Sequence, residues 1–176
     1  VSNLKKSGAT IISVEKPKTE KKQIVYDSKQ EKSLLDELNN STHDPVGRHF
    51  AYLQIQDFYY KYRDIDRVYL DKCLEFALRD ISELKELQDA YVKREIETVK
   101  TLAEYHGKQW EQQETEAIKE RGFNGNIPSF KRAEIIYEKL GLYEKAIEIC
   151  DKAIDYGQSV EEFTEKKQKI LKKKNA

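Results

Sequence analysis

The residues that could do chemistry in this chain are few and scattered. His43 and Asp44 stand side by side, as in a dyad that holds a divalent metal for hydrolysis. Such a centre needs further His or Asp ligands, and only His49 and His106 are left to supply the histidines. His43 also lies in the loop-like run Asn-Asn-Ser-Thr-His-Asp-Pro, ahead of Pro45. Asp64, Asp66, Asp71 and Asp80 form a run of spaced carboxylates. On one helix and its turn they fall on different faces, so solvation and helix-end charge account for them. No Gly-rich phosphate loop, Cys-x-x-Cys pair or helical His-Glu-x-x-His occurs. The sequence is therefore read as non-catalytic, with no cofactor, no metal site and no catalytic residue. Cys73 and Cys150 fall on apolar helix faces, where buried free thiols fit better than a disulfide.

A second kind of chemistry is recognition. Phe58, Tyr59, Tyr60 and Tyr62 place four rings in five positions. At about 100° per residue they spread over more than half of the helix circumference, so one core cannot take them all. One reading packs them against a helix formed by residues 28–38 or against a neighbouring hairpin. The other leaves some exposed as a partner surface, where Tyr and Phe are enriched.

These side chains must be carried by helices. Residues 130–157 read FKRAEIIYEKLGLYEKAIEICDKAIDYG. Phe130, Ala133, Tyr137 and Leu140 recur at three- and four-residue steps, which makes one apolar helix face. Gly141 stops that helix. Tyr143, Ala146, Ile147, Cys150, Ala153 and Ile154 repeat the period, and Gly157 closes the second helix. Ala146 and Ala153 sit where two backbones approach closely. A shift of 77 residues lays Cys73 on Cys150, Tyr60 on Tyr137 and Asp64 on Gly141. It predicts a diverged copy of the same hairpin, with Tyr69 and Phe76 in place of the two alanines.

This pattern of Phe130, Tyr137, Gly141, Tyr143, Ala146, Cys150 and Ala153 resembles the tetratricopeptide repeat, a unit of about 34 residues. Three places depart from it. Glu134 stands where the family prefers a small residue, Cys150 where it prefers an aromatic, and the closing proline is absent. The resemblance implies an all-α fold of antiparallel hairpins stacked as a superhelix whose first helices line a concave groove. Carried onto this sequence, the groove-facing residues are Gln54, Phe58, Lys61 and Tyr62 in the first hairpin. In the second they are Lys131, Ile135, Glu138 and Lys139. Some family members clamp a terminal carboxylate with Lys, Asn and Arg. Lys131 and Arg132 fit part of that set, but Ile135 stands where Asn is needed. A mixed aromatic and basic groove instead favours an acidic or amphipathic peptide.

The predicted organisation is a basic N-terminal arm over residues 1–27, extended or a β-hairpin, followed by a helical domain over 28–176. Hairpins are expected near 49–81, 83–121 and 129–157, with a capping helix over 159–173. Ser82 is expected to cap the third of these helices. Charged residues make up 36% of the 176 and apolar residues 38%, which suits a helical array with wide solvated faces. Net charge is zero but unevenly spread: residues 33–164 hold 18 basic and 27 acidic side chains, and both ends are Lys-rich. No apolar run reaches the ~20 residues of a membrane span. No signal-peptide pattern is present, so the cytoplasm is the default location. The start at Val1 and the lack of methionine point to a fragment or processed product.

The functional expectation is a protein–protein interaction module holding a peptide segment or its own copy. Two alternatives stand beside it. The Lys-rich ends could associate with nucleic acid, or the chain could be the regulatory or targeting part of a longer enzyme.

Overall fold

The computed structural model describes residues 25–175. The expected arm over residues 1–27 therefore lies, but for its last three residues, outside the described part. Eight α-helices and no strand occur among the described residues: α1 (Ser28–Asn40), α2 (Pro45–Lys61), α3 (Arg67–Ser82), α4 (Leu84–His106), α5 (Lys108–Arg121), α6 (Pro128–Lys139), α7 (Tyr143–Asp155) and α8 (Val160–Lys174). The fold is all-α.

Local chemistry sets most of these ends. Asp27 caps α1 by accepting from the backbone N–H of Lys29 and Gln30 at 3.1 and 3.0 Å. Asp44 caps α2 in the same way, with Pro45 pre-set in the first turn, so this helix begins four residues before His49. Asp66 caps α3 and Ser159 caps α8. The expected cap at Ser82 is not made. Ser82 ends α3, its hydroxyl donates back to the Arg79 carbonyl, and α4 starts after Glu83 with no side-chain cap. At Gly141 φ is +71° and at Gly157 it is +86°. In each case two backbone N–H groups turn back onto orphan carbonyls: Gly141 and Leu142 onto Glu138 and Tyr137, and Gly157 and Gln158 onto Ile154 and Ala153. This paired closure needs a left-handed residue, which costs glycine nothing.

Helices joined by short links pack as antiparallel neighbours: α2 on α3, α4 on α5, and α6 on α7. The order of packing is not the order of the chain. Hairpin α6–α7 lies directly against hairpin α2–α3, through α3 and α6. Ser129 meets Asp80 while Ile136 joins the cluster around Cys73, so α6 runs opposite to α3 and alongside α2. The α4–α5 pair is inserted between these two hairpins and touches α2 and α3 through α4. Helix α1 covers α2, and α8 covers α7.

Two hydrophobic clusters result. One gathers Tyr52, Ile55, Phe58, Tyr59, Tyr62, Cys73 and Phe76 from α2–α3, roofed by Tyr26 and by Leu34, Leu35 and Leu38 of α1. The other gathers Phe130, Ala133, Tyr137, Ala146, Cys150 and Ala153 of α6–α7 with Phe163 and Ile170 of α8, and takes in Leu84 and Leu87 at the base of α4. Ala146 and Ala153 are fully buried, as close helix approach requires. Both thiols are free and buried, and desolvation pushes each up to about 12, well away from thiolate chemistry.

Candidate binding face

Helices α2 and α6 run side by side and bring the predicted groove residues to one region, but not all of them to one surface. Gln54 and Lys61 are exposed on α2. Lys131 and Lys139 are exposed on α6, with Ile135 and Glu138 half-buried. Phe58 and Tyr62 are buried, at 5% and 0% exposure. Their rings sit edge-on to Tyr26 at 5.7 and 4.9 Å, beneath the start of α1. The packing reading of the four rings thus holds for Phe58, Tyr59 and Tyr62, and α1 is the element that covers them.

Tyr60 is the exception. It stays half-buried where the C-terminal ends of α2 and α6 approach. The Arg132 guanidinium lies 4.0 Å from its ring centroid, that of Arg63 4.2 Å, and the Lys139 ammonium 5.7 Å. Each cation is drawn to the negative face of the ring. Arg132 is also bound to Asp57 of α2, which ties the two hairpins together across this ring. Arg63 donates to the Tyr60 carbonyl at 2.6 Å, while its Nε is buried without a partner. Lys61 and Lys139 form no ion pair among the described residues, and Lys61 lies 5.1 Å from the Tyr62 ring centroid, on the α1 side of α2. The outcome is a shallow face, positive at the helix ends, with an aromatic ring and Ile135 as its apolar parts.

The edges of this face are held by a hydrogen bond on one side and ion pairs on the other. On one side Gln54 reaches Glu37 of α1 at 3.4 Å. On the other, α8 meets α6 through Lys131–Glu162 at 2.8 Å, Lys166–Glu134 at 2.5 Å and Lys173–Glu138. Glu134, the departure from the small-residue pattern, is 1% exposed. Burial raises its pKa and Lys166 opposes that shift, so the misfit side chain serves as the anchor for α8. Lys167 and Lys174 likewise meet Asp151 and Glu144. Four lysines of the basic C-terminal run, Lys166, Lys167, Lys173 and Lys174, thus meet carboxylates of α6 and α7.

Sequence reasoning missed the buried polar junction between the hairpins. Asp80, expected in solvent, is 2% exposed. It meets the His49 ring nitrogen at 2.7 Å and accepts from the Ser129 hydroxyl. Ser129 in turn accepts from the Gln56 side chain at 2.8 Å. A polar side chain on each of α2, α3 and α6 was the available signal, at positions otherwise on apolar stripes. The arrangement sets serine, carboxylate and imidazole in contact, but the carboxylate is central and separates hydroxyl from imidazole. That order differs from a Ser-His-Asp relay, in which the imidazole lies between hydroxyl and carboxylate. The junction satisfies buried groups and joins the hairpins in one register.

The other histidines go elsewhere: His43 is exposed beside the α2 cap, and the His106 ring lies tilted against Trp110 at 4.5 Å. No cluster of three potential metal ligands occurs among the described residues, and no described helix is long and apolar enough to cross a membrane. No family model matches the chain, and no curated protein or solved structure matches it.

Proposed function

We propose that this chain is a non-catalytic interaction module related to tetratricopeptide repeats, which holds an acidic peptide segment on the α2–α6 face. The architecture supports a repeat relation in a specific way. The sequence shift of 77 residues exceeds a unit of about 34 by roughly 43. Helices α4 and α5, with their links, account for that excess, and the two hairpins on either side of them pack directly together. The observation that carries the binding reading is Tyr60, flanked by Arg63, Arg132 and Lys139. Aromatic and cationic side chains in one shallow face suit carboxylates on an extended chain.

The test is fluorescence anisotropy with a labelled peptide of alternating Glu and Leu, against a Lys and Leu control. Lys61→Glu combined with Lys139→Glu leaves the fold intact, since both side chains are exposed. It should weaken binding by tenfold or more, about 1.4 kcal/mol. Binding of the acidic peptide that ignores these changes removes this face from consideration. Phe58→Ala or Tyr62→Ala would test the core instead.

A further inference from the structure

The α4–α5 arm leaves a face of its own unpartnered. Between its two helices only Val99 and Ile118 are buried, and neither belongs to the two main clusters. Val92 and Ile96 stay half-exposed along a channel that runs the length of the arm. A helix pair with so thin a seam gains by burying that channel against a second pair, as in a four-helix bundle. We infer that the channel face of α4–α5 packs antiparallel against the same face of a second copy of this chain.

The order of charges identifies the occupant. Along α4 the channel is edged by Asp89, Lys93, Glu97 and Lys100, alternating in sign at steps of three or four residues. A twofold axis between Lys93 and Glu97 sets Asp89 against Lys100 of the second copy and Lys93 against its Glu97. It gathers Val92 and Ile96 of both copies around the axis. On α5, Lys119 lies level with Val92, Lys93 and Ile96, and Glu116 lies one turn nearer the tip. The same axis passes level with Lys119, with Glu116 of the second copy one turn away. The parallel alternative, with α4 opposite α5, sets Lys93 against Lys119 and Glu97 against Glu116, which repels. All six charged side chains are exposed. Lys93 has no ion-pair partner among the described residues, while Asp89 and Glu97 meet only Lys85 and Lys100 of their own helix, at 2.9 and 3.4 Å. Exposed pairs add little affinity, so their effect is to select the antiparallel register. This surface is separate from the α2–α6 face, so the two readings stand or fall independently.

Sedimentation velocity on the full chain over a concentration series tests it. The expected result is a reversible dimer with a dissociation constant on the order of tens of micromolar. Lys93→Glu and Glu97→Lys each create two like-charge contacts per dimer and should weaken it about tenfold. The double swap Lys93→Glu with Glu97→Lys restores opposite charges across the axis and should return the constant to within about threefold of the original. Circular dichroism checks that helix content is kept. A chain that remains monomeric at about 0.5 mM overturns the inference. So does a dimer indifferent to both single reversals, or one that the double swap fails to recover.

Discussion

The two hairpins that share the 77-residue shift solve the same packing problem in opposite ways. In α6–α7 the second helix offers Ala146 and Ala153, so the backbones meet closely and Gly141 closes the turn. In α2–α3 the matching positions are Tyr69 and Phe76, and Asp64 replaces the glycine. No residue there takes positive φ; α2 ends in tighter turns from Tyr62, Arg63 and Ile65 back onto carbonyls three residues earlier. The rings of that hairpin present surplus apolar surface, and Tyr26 and α1 cover it. One pattern of periodicity thus supports either a small-residue seam or an aromatic one, provided that another helix takes up the surplus surface.

Core substitutions separate the two seams most sharply. Tyr62→Ala removes a ring packed against Tyr26, Phe58 and Tyr69 and should cost about 3–5 kcal/mol by leaving a cavity. Ala153→Leu should cost about 1–3 kcal/mol or more by the reverse route, since a fully buried alanine has no room for added carbons. Chemical denaturation reads both. A cost under about 1 kcal/mol for Tyr62→Ala would show that the covering helix is not integral to the first hairpin.

The turn residues should differ next. Gly141→Ala forces a side chain into φ +71° and should destabilise by about 1–2 kcal/mol. Asp64→Ala, at the matching turn, needs no such conformation and should stay within about 0.5 kcal/mol. Equal costs at the two sites would mean that the helix closures are not distinct.

The pH dependence sharpens the comparison further. Burial alone would raise the Glu31 carboxyl, but hydrogen bonds from Tyr26, Tyr59 and Lys72 outweigh it and hold it at about 2. The folded state therefore releases this proton more readily than the unfolded one. The stabilisation is present above about pH 4.5 and is lost as pH falls toward 2. Allowing for screening at its water-facing edge, it amounts to about 1 kcal/mol. Thermal unfolding of Glu31→Gln against the unaltered chain should show a gap at pH 6 that narrows by pH 3. A gap independent of pH would place the contact of α1 elsewhere.

Much of the fold was legible in the residues. The stretch from Phe130 to Gly157 carries its helices, its turn and its buried alanines in spacing alone, and the structure places all of them as that spacing requires. The first hairpin was legible as helices but not in its surroundings. Phe58 and Tyr62 lie on the face expected for a groove, and they are covered because α1 lies on that face. Asp80 shows the same limit from the polar side. Its neighbours in the chain mark a helix end, while the residues that bury it, His49 and Ser129, are 31 and 49 positions away.

Local spacing therefore determined the helices, their glycine closures and the small-residue seam, because those depend on contacts within one turn or one hairpin. Tertiary structure alone decided that α4–α5 stands outside the pair it interrupts, that α1 roofs the aromatic rings, and that Tyr60 remains at the surface among cations. Each of these depends on which distant face supplies the missing apolar or polar partner, and burial of that kind has no signature in the order of neighbouring residues.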